Sequence, residues 1–332
     1  MRSVVWDHGC AAVQSLAAMI GPVTFVLPDG RQCQPLHIAP WTFDPQAMRL
    51  QGVLRRLRGE WPCVPFGSDG ERVLADGWED RGATFPGGEI LHGPCSQETW
   101  RWVDAPKGAL ALEIDYPATH PVSRVARRIR PDPNRAAIDF ELGIAVRREC
   151  RLPIALHPVF RVPTQPGGMI LEPARYDHVR TFPGVVELGA KLFAQNVKFS
   201  RLEAAPGHDG GVIDATRMPF DGHFEDLLQL VGVEGRIDIR YPGEKYRARL
   251  TWEARHFPSL QLWISNRGRK DYPWNGEHLA LGVEPVCAAF DLGPAIGNAR
   301  NPIAQSGTPT TCAFSPDKPF LTRYRIEVEP DL

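Results

Sequence analysis

The chain has 332 residues, 43% of them hydrophobic, and 38 basic side chains against 39 acidic ones leave a formal net charge of −1. A balance that close provides no whole-chain field for drawing in nucleic acid or an anionic membrane, and so much apolar sequence is foreign to a disordered chain. Seven cysteines, Cys10, Cys33, Cys63, Cys95, Cys150, Cys287 and Cys312, never approach CxxC spacing. One must stay unpaired, so reduced thiols in a cytoplasm are expected and a zinc site is not.

The first residues lack an unbroken apolar segment, and the stretch 11–26 is interrupted by Gln14, Ser15, Gly21 and Pro22. A soluble, cytoplasmic protein is expected on that basis. Thirty-two prolines and 31 glycines are spread evenly, which forbids long helices and favours many short strands joined by turns.

In chain order, Val23-Thr24-Phe25-Val26-Leu27 before Pro28-Asp29-Gly30 reads as a hairpin arm with its turn. Residues 45–58 place Met48, Leu50, Val53, Leu54 and Leu57 at amphipathic spacing, so a helix is expected, stopped by Trp61-Pro62. Residues 109–116 and 137–146 read as strands, the second alternating strictly by twos. Residues 224–231 suggest one or two helical turns, whereas 236–241 and 260–264 alternate as strands with one buried face. Residues 324–329 close the pattern as a last strand. Strand-rich sequence with no linker, repeat or low-complexity tract argues for an all-β protein, one large antiparallel β-sandwich domain over residues 1–332.

Three polar islands lie in apolar β-type sequence. They are Leu91-His92-Gly93, Leu156-His157-Pro158-Val159-Phe160, and Leu281-Gly282-Val283-Glu284-Pro285. An ionisable group in such a frame loses hydration, so it needs a partner or a task. His92 follows Gly87-Gly88 and precedes Trp100 and Trp102, whose flat faces suit sugar C–H groups. An ordinary loop histidine is the plain alternative. His157 sits where a proline bends the chain out of a strand, and it reads equally as a core histidine bonded to a carbonyl. Glu284 is a lone carboxylate among apolar neighbours; an ion pair with an arginine is its structural alternative.

The order of these islands resembles the aldose 1-epimerase (galactose mutarotase) family. The resembling elements are Leu91-His92-Gly93 with Trp100, His157-Pro158-Val159-Phe160, Met218-Pro219-Phe220-Asp221 and Val283-Glu284-Pro285. Residues 257–263 resemble the family's penultimate strand, and the similarity runs over roughly residues 20–330. It implies a β-supersandwich with a cleft on one face. It also implies catalysis of anomer exchange, with Glu284 as base, His157 as acid, His92 as a substrate ligand and no cofactor. The family's arginine has no counterpart at its usual place, so Arg72 is the substitute candidate. The family's substrate-holding acid falls on either Glu225 or Asp226. The partner implied is a small sugar, with a modified or phosphorylated one kept open by the basic strip of residues 124–130. Two rival readings are a sugar-binding protein without turnover and a glycoside-processing enzyme. The latter would pair Glu284 with Glu225 or Asp226 across the cleft.

Overall fold

A computed structural model describes residues 1–78 and 85–331. Two large sheets dominate it. In one, nine strands follow the spatial order Arg217–Met218, Met169–Pro173, Arg236–Tyr241, Tyr246–Trp252, Phe320–Pro330, Ala137–Val146, Val122–Pro131, Leu110–Asp115 and Arg101–Val103. The other runs Lys198–Phe199, His178–Thr181, Phe224–Val231, Ser259–Asn266, Leu279–Cys287, Ile154–Leu156 and Pro62–Cys63, and Val159–Arg161 also pairs with Leu279–Cys287. All of the pairings are antiparallel. A four-stranded sheet of residues from Arg2 to Cys33 lies beside them.

Alternation explains the layering. Leu112, Ile138, Phe140, Ile237, Ile239, Leu250 and Ile326 of the nine-stranded sheet share one core with Leu228, Leu230, Leu260, Leu262, Ile264, Leu281 and Val283 of the other. The opposite face of the second sheet is covered too. There Leu227, Val231, Trp263, Ala280 and Val286 pack under Trp41, Val53, Leu57, Trp61 and Phe290, which come from short 3-10 turns and loops. Strands buried on both sides read as near-continuous apolar runs, which makes them easy to mistake for helix.

Two expectations are corrected here. Residues Phe224–Val231 form a strand paired throughout with Ser259–Asn266, since both of its faces find apolar cover. The helix expected over 45–58 is instead two short 3-10 turns, Pro45–Arg49 and Gly52–Arg56. Leu50 and Gln51 are extended between them, and Gly52 takes a left-handed φ of 49°, so no α-helical ladder can pass through. Among the described residues no helix is long and apolar enough to cross a membrane.

Candidate functional site

The cleft lies on the covered face of the second sheet, and strand register builds its floor. Gln229 stands opposite Gln261, which stands opposite Glu284; one row along, Leu227 faces Trp263 and Trp263 faces Gly282. Gly282 leaves room there, because a Cβ would displace Oε1 of Glu284 and press on Trp263. Pro158 ends the pairing of Ile154–Leu156 and lets the chain re-enter at Val159, so His157 projects from the break. The resulting cavity, about 970 Å³, is lined by His92, His157, Gln261, Trp263 and Glu284 together with Arg72.

His157 Nε2 lies 3.5 Å from Glu284 Oε1, and both side chains are buried. Gln261 Nε2 donates to Glu284 Oε2 at 2.9 Å. Glu284 Oε1, Gln261 Oε1 and His157 Nδ1 have no hydrogen-bond partner. Buried polar atoms left open in this way are costly, and three of those among the described residues meet at this carboxylate, imidazole and amide. Burial pushes the Glu284 carboxyl well above its ordinary range, with the Asp291 carboxylate adding to the effect. Burial holds the His157 imidazole well below its own, helped by His92. Desolvation outweighs the mutual attraction of the two groups and favours the uncharged form of each. Trp61 stacks on the His157 ring at 4.2 Å and 20°, fixing its plane.

His92 occupies a left-handed turn, with φ of 59°, and stacks on Phe66 at 4.9 Å. The Gly67 N–H donates to its Nδ1 at 3.2 Å, which assigns the ring proton to Nε2 as a donor. Burial lowers this imidazole to about 4, so it stays neutral. Its ring centroid is 5.3 Å from that of His157. Arg72 reaches the cleft wall despite its displaced position in the sequence, held by two bonds to Asp291 at 2.7 and 3.2 Å.

The other expected ligands are placed differently. Glu225 shares the cleft face of its strand but lies behind the lining. Its carboxylate accepts from Trp263 Nε1 at 2.6 Å and Ser265 Oγ at 2.9 Å, and Arg269 Nε is 3.4 Å away. It therefore positions Trp263 and Arg269. Asp226 points to the opposite face, accepting from the Leu192, Phe193 and Leu227 amides, and so fastens a loop. Trp100 is buried in the inter-sheet core, donating to Cys95 O at 2.8 Å; the aromatic faces of the cleft belong to Trp61, Trp263 and Trp274. With Glu225 enclosed and Asp226 turned away, neither partners Glu284 across the cleft.

The basic strip lies on the nine-stranded sheet, away from this cleft. Arg124 pairs with Asp115 at 2.7 Å, Arg128 with Glu141 at 3.1 Å and Arg130 with Asp139 at 3.8 Å, while Arg127 is buried against Glu60. Its charges are committed, so it supplies no clamp for a phosphate.

No family model matches this sequence, and no curated protein sequence does. Solved structures do match, over nearly the whole chain. A candidate aldose 1-epimerase from Escherichia coli K12 superposes with a TM-score of 0.65 at 14% identity, covering 99% of this chain and 98% of that one. The fold is that of the galactose mutarotase-like proteins. A GalM/aldose epimerase homologue from C. elegans gives a TM-score of 0.64 at 12% identity, covering 99% and 98%. A galactose mutarotase-like protein from Lactobacillus casei gives 0.60 at 13%, covering 99% and 100%.

Proposed function

We propose that this protein interconverts the α- and β-anomers of a reducing sugar by acid/base ring opening. The observation that carries the reading is the buried Glu284–His157 contact of 3.5 Å at the base of a cleft, with an unpartnered polar atom on each side chain. Glu284 as carboxylate removes the proton of the C1 hydroxyl. The C1 carbonyl forms as the C1–O5 bond breaks, and the His157 imidazolium protonates O5. After rotation about C1–C2 the steps reverse: His157 takes back the O5 proton, O5 adds to the other face of C1, and Glu284 returns its proton to the carbonyl oxygen. Protons balance over the cycle.

Opening needs the charged pair, while burial favours the neutral one. Both forms hold a single proton between the two groups, so only a transfer across the Oε1–Nε2 contact separates them. Sugar hydroxyls bonding to Glu284 and the indole face of Trp61 beside His157 favour the charged form once the cleft is filled. His92 Nε2–H and Gln261 Oε1 supply a donor and an acceptor for ring hydroxyls. Glu225 acts through Trp263, and Arg72 through the wall it forms with Asp291.

Saturation-transfer NMR between anomers of an aldose panel tests this reading. Faster exchange with catalytic protein is expected for at least one sugar. Binding without added exchange would establish a lectin-like protein instead.

A further inference from the structure

One buried amide on the sheet that floors the cleft plays no part in the proposed chemistry. Gln229 lies inside Phe224–Val231, between Leu228 and Leu230, and is 0% exposed. It shares the covered face with Leu227 and Val231 but does not line the cleft. Both ends of its amide are committed to one short segment. Nε2 donates to Ala288 O at 2.8 Å, and Oε1 accepts from the Phe290 N–H at 2.7 Å. A carbonyl and an N–H so placed call for one donor and one acceptor side by side, which a neutral amide supplies.

Phe290 needs the restraint. Its φ of 50° is left-handed, a conformation that bulky residues rarely take and that persists only where the surroundings impose it. Its ring is held too, edge-on to Phe182 at 5.3 Å and tilted against Trp78 at 5.7 Å.

Asp291 follows directly, and two lines of contact run from it to the cleft. Its carboxylate holds Arg72 by bonds of 2.7 and 3.2 Å. Its carbonyl accepts from the Ser68 N–H at 3.2 Å, beside Gly67, where a Cβ would collide with that same carbonyl. Gly67 grips His92 twice, donating its N–H to Nδ1 at 3.2 Å and accepting the His92 N–H at 2.9 Å. Glu284 depends on none of these bonds, because its strand is placed by pairing with Ser259–Asn266.

Resting on the proposed activity, we infer that Gln229 is a positioning residue. Through the 288–291 segment it keeps His92 and the Arg72 wall in place for the sugar, without touching the sugar itself.

Gln229→Met keeps the bulk of the side chain and removes both hydrogen bonds. Anomer-exchange kinetics, counted per folded molecule by circular dichroism, should show KM raised about tenfold with kcat within threefold. Gln229→Glu makes both bonds only while its carboxyl is protonated, so the ratio of its KM to that of wild type should fall as pH is lowered. This second variant carries the test if Gln229→Met does not fold. The His92 ring nitrogens, assigned by their loss in His92→Gln, should shift in the NMR spectrum of Gln229→Met, a readout independent of turnover. A wild-type KM in the folded Gln229→Met protein, unmoved His92 signals, or a KM ratio for Gln229→Glu that ignores pH overturns the inference. If wild-type protein accelerates exchange on no sugar, the activity itself falls, and the His92 signals alone decide the positioning.

Discussion

Two buried carboxylates in this molecule differ in how fully they are answered. Glu60, between the sheets, receives Arg127 and the Tyr324 hydroxyl, the latter at 2.7 Å, and Arg127 is bound in turn to Ala18 O. Glu284, on the cleft face, has one amide donor, a neutral imidazole at 3.5 Å and an oxygen with nothing bonded to it. In the first, both carboxylate oxygens are answered, and removing a partner would leave a buried charge uncompensated. The second leaves one carboxyl oxygen without a hydrogen bond. Burial raises both carboxyls, but only at Glu60 do a cation and a hydroxyl oppose it at bonding distance. The difference, more than burial, is what makes Glu284 rather than Glu60 the candidate for chemistry.

The contrast breaks most visibly through Glu284→Gln. Exchange should fall by about a thousandfold, within the range for losing a general acid–base group, with secondary structure by circular dichroism unchanged. A carboxyl raised in the folded state binds its proton more tightly there than when unfolded. Stability is therefore lost as pH rises from the unfolded value toward the folded one. Glu284→Gln should accordingly melt higher than wild type at neutral pH and match it in acid; a lower melting temperature at neutral pH would contradict the account.

The converse substitution, Arg127→Met, leaves the Glu60 carboxylate buried beside Tyr324 alone. A loss of about 3–5 kcal/mol in urea denaturation is expected, with exchange per folded molecule retained. Gly282→Ala sharpens the comparison from the cleft side, because the new methyl would displace the Glu284 carboxylate. A fall in kcat of about a hundredfold is expected, with KM little changed. The smallest effect on catalysis belongs to Asp226→Asn. It weakens three bonds to backbone amides, costing about 1–3 kcal/mol of stability, while KM stays within twofold. A large rise in KM would return Asp226 to the cleft.

Much of this arrangement was legible in the amino-acid order, and its gaps have physical reasons. Ala137–Val146 and Arg236–Tyr241 alternate by twos, and their bounds follow from that alternation. His92, His157 and Glu284 come together because each is a polar group in an apolar frame. Phe224–Val231 hid its period, since both faces are covered, and with the period went the choice between Glu225 and Asp226. Which acid faces the cleft depends on register against Ser259–Asn266, a property of the pair of strands. Trp100 passed for a ligand because a tryptophan beside a histidine says nothing about which side of a sheet it enters. Gln261 and Trp263 alternate with Leu260, Leu262 and Ile264, and that pattern marks the cleft face directly. Arg269, Trp274 and Asp291 arrive on loops, where no period announces them.

The pH dependence of kcat/KM for anomer exchange, corrected for the spontaneous rate, reports the free protein and tests the one-proton pair most directly. The account predicts a plateau. Its acid limb falls below the ordinary histidine value of 6.5, where His157 gains a second proton for the pair, and its alkaline limb lies well above the ordinary carboxyl value of 4.5, where Glu284 loses the last one. A rate that climbs through 4.5 as an ordinary carboxylate ionises, and then stays level into alkali, would contradict it.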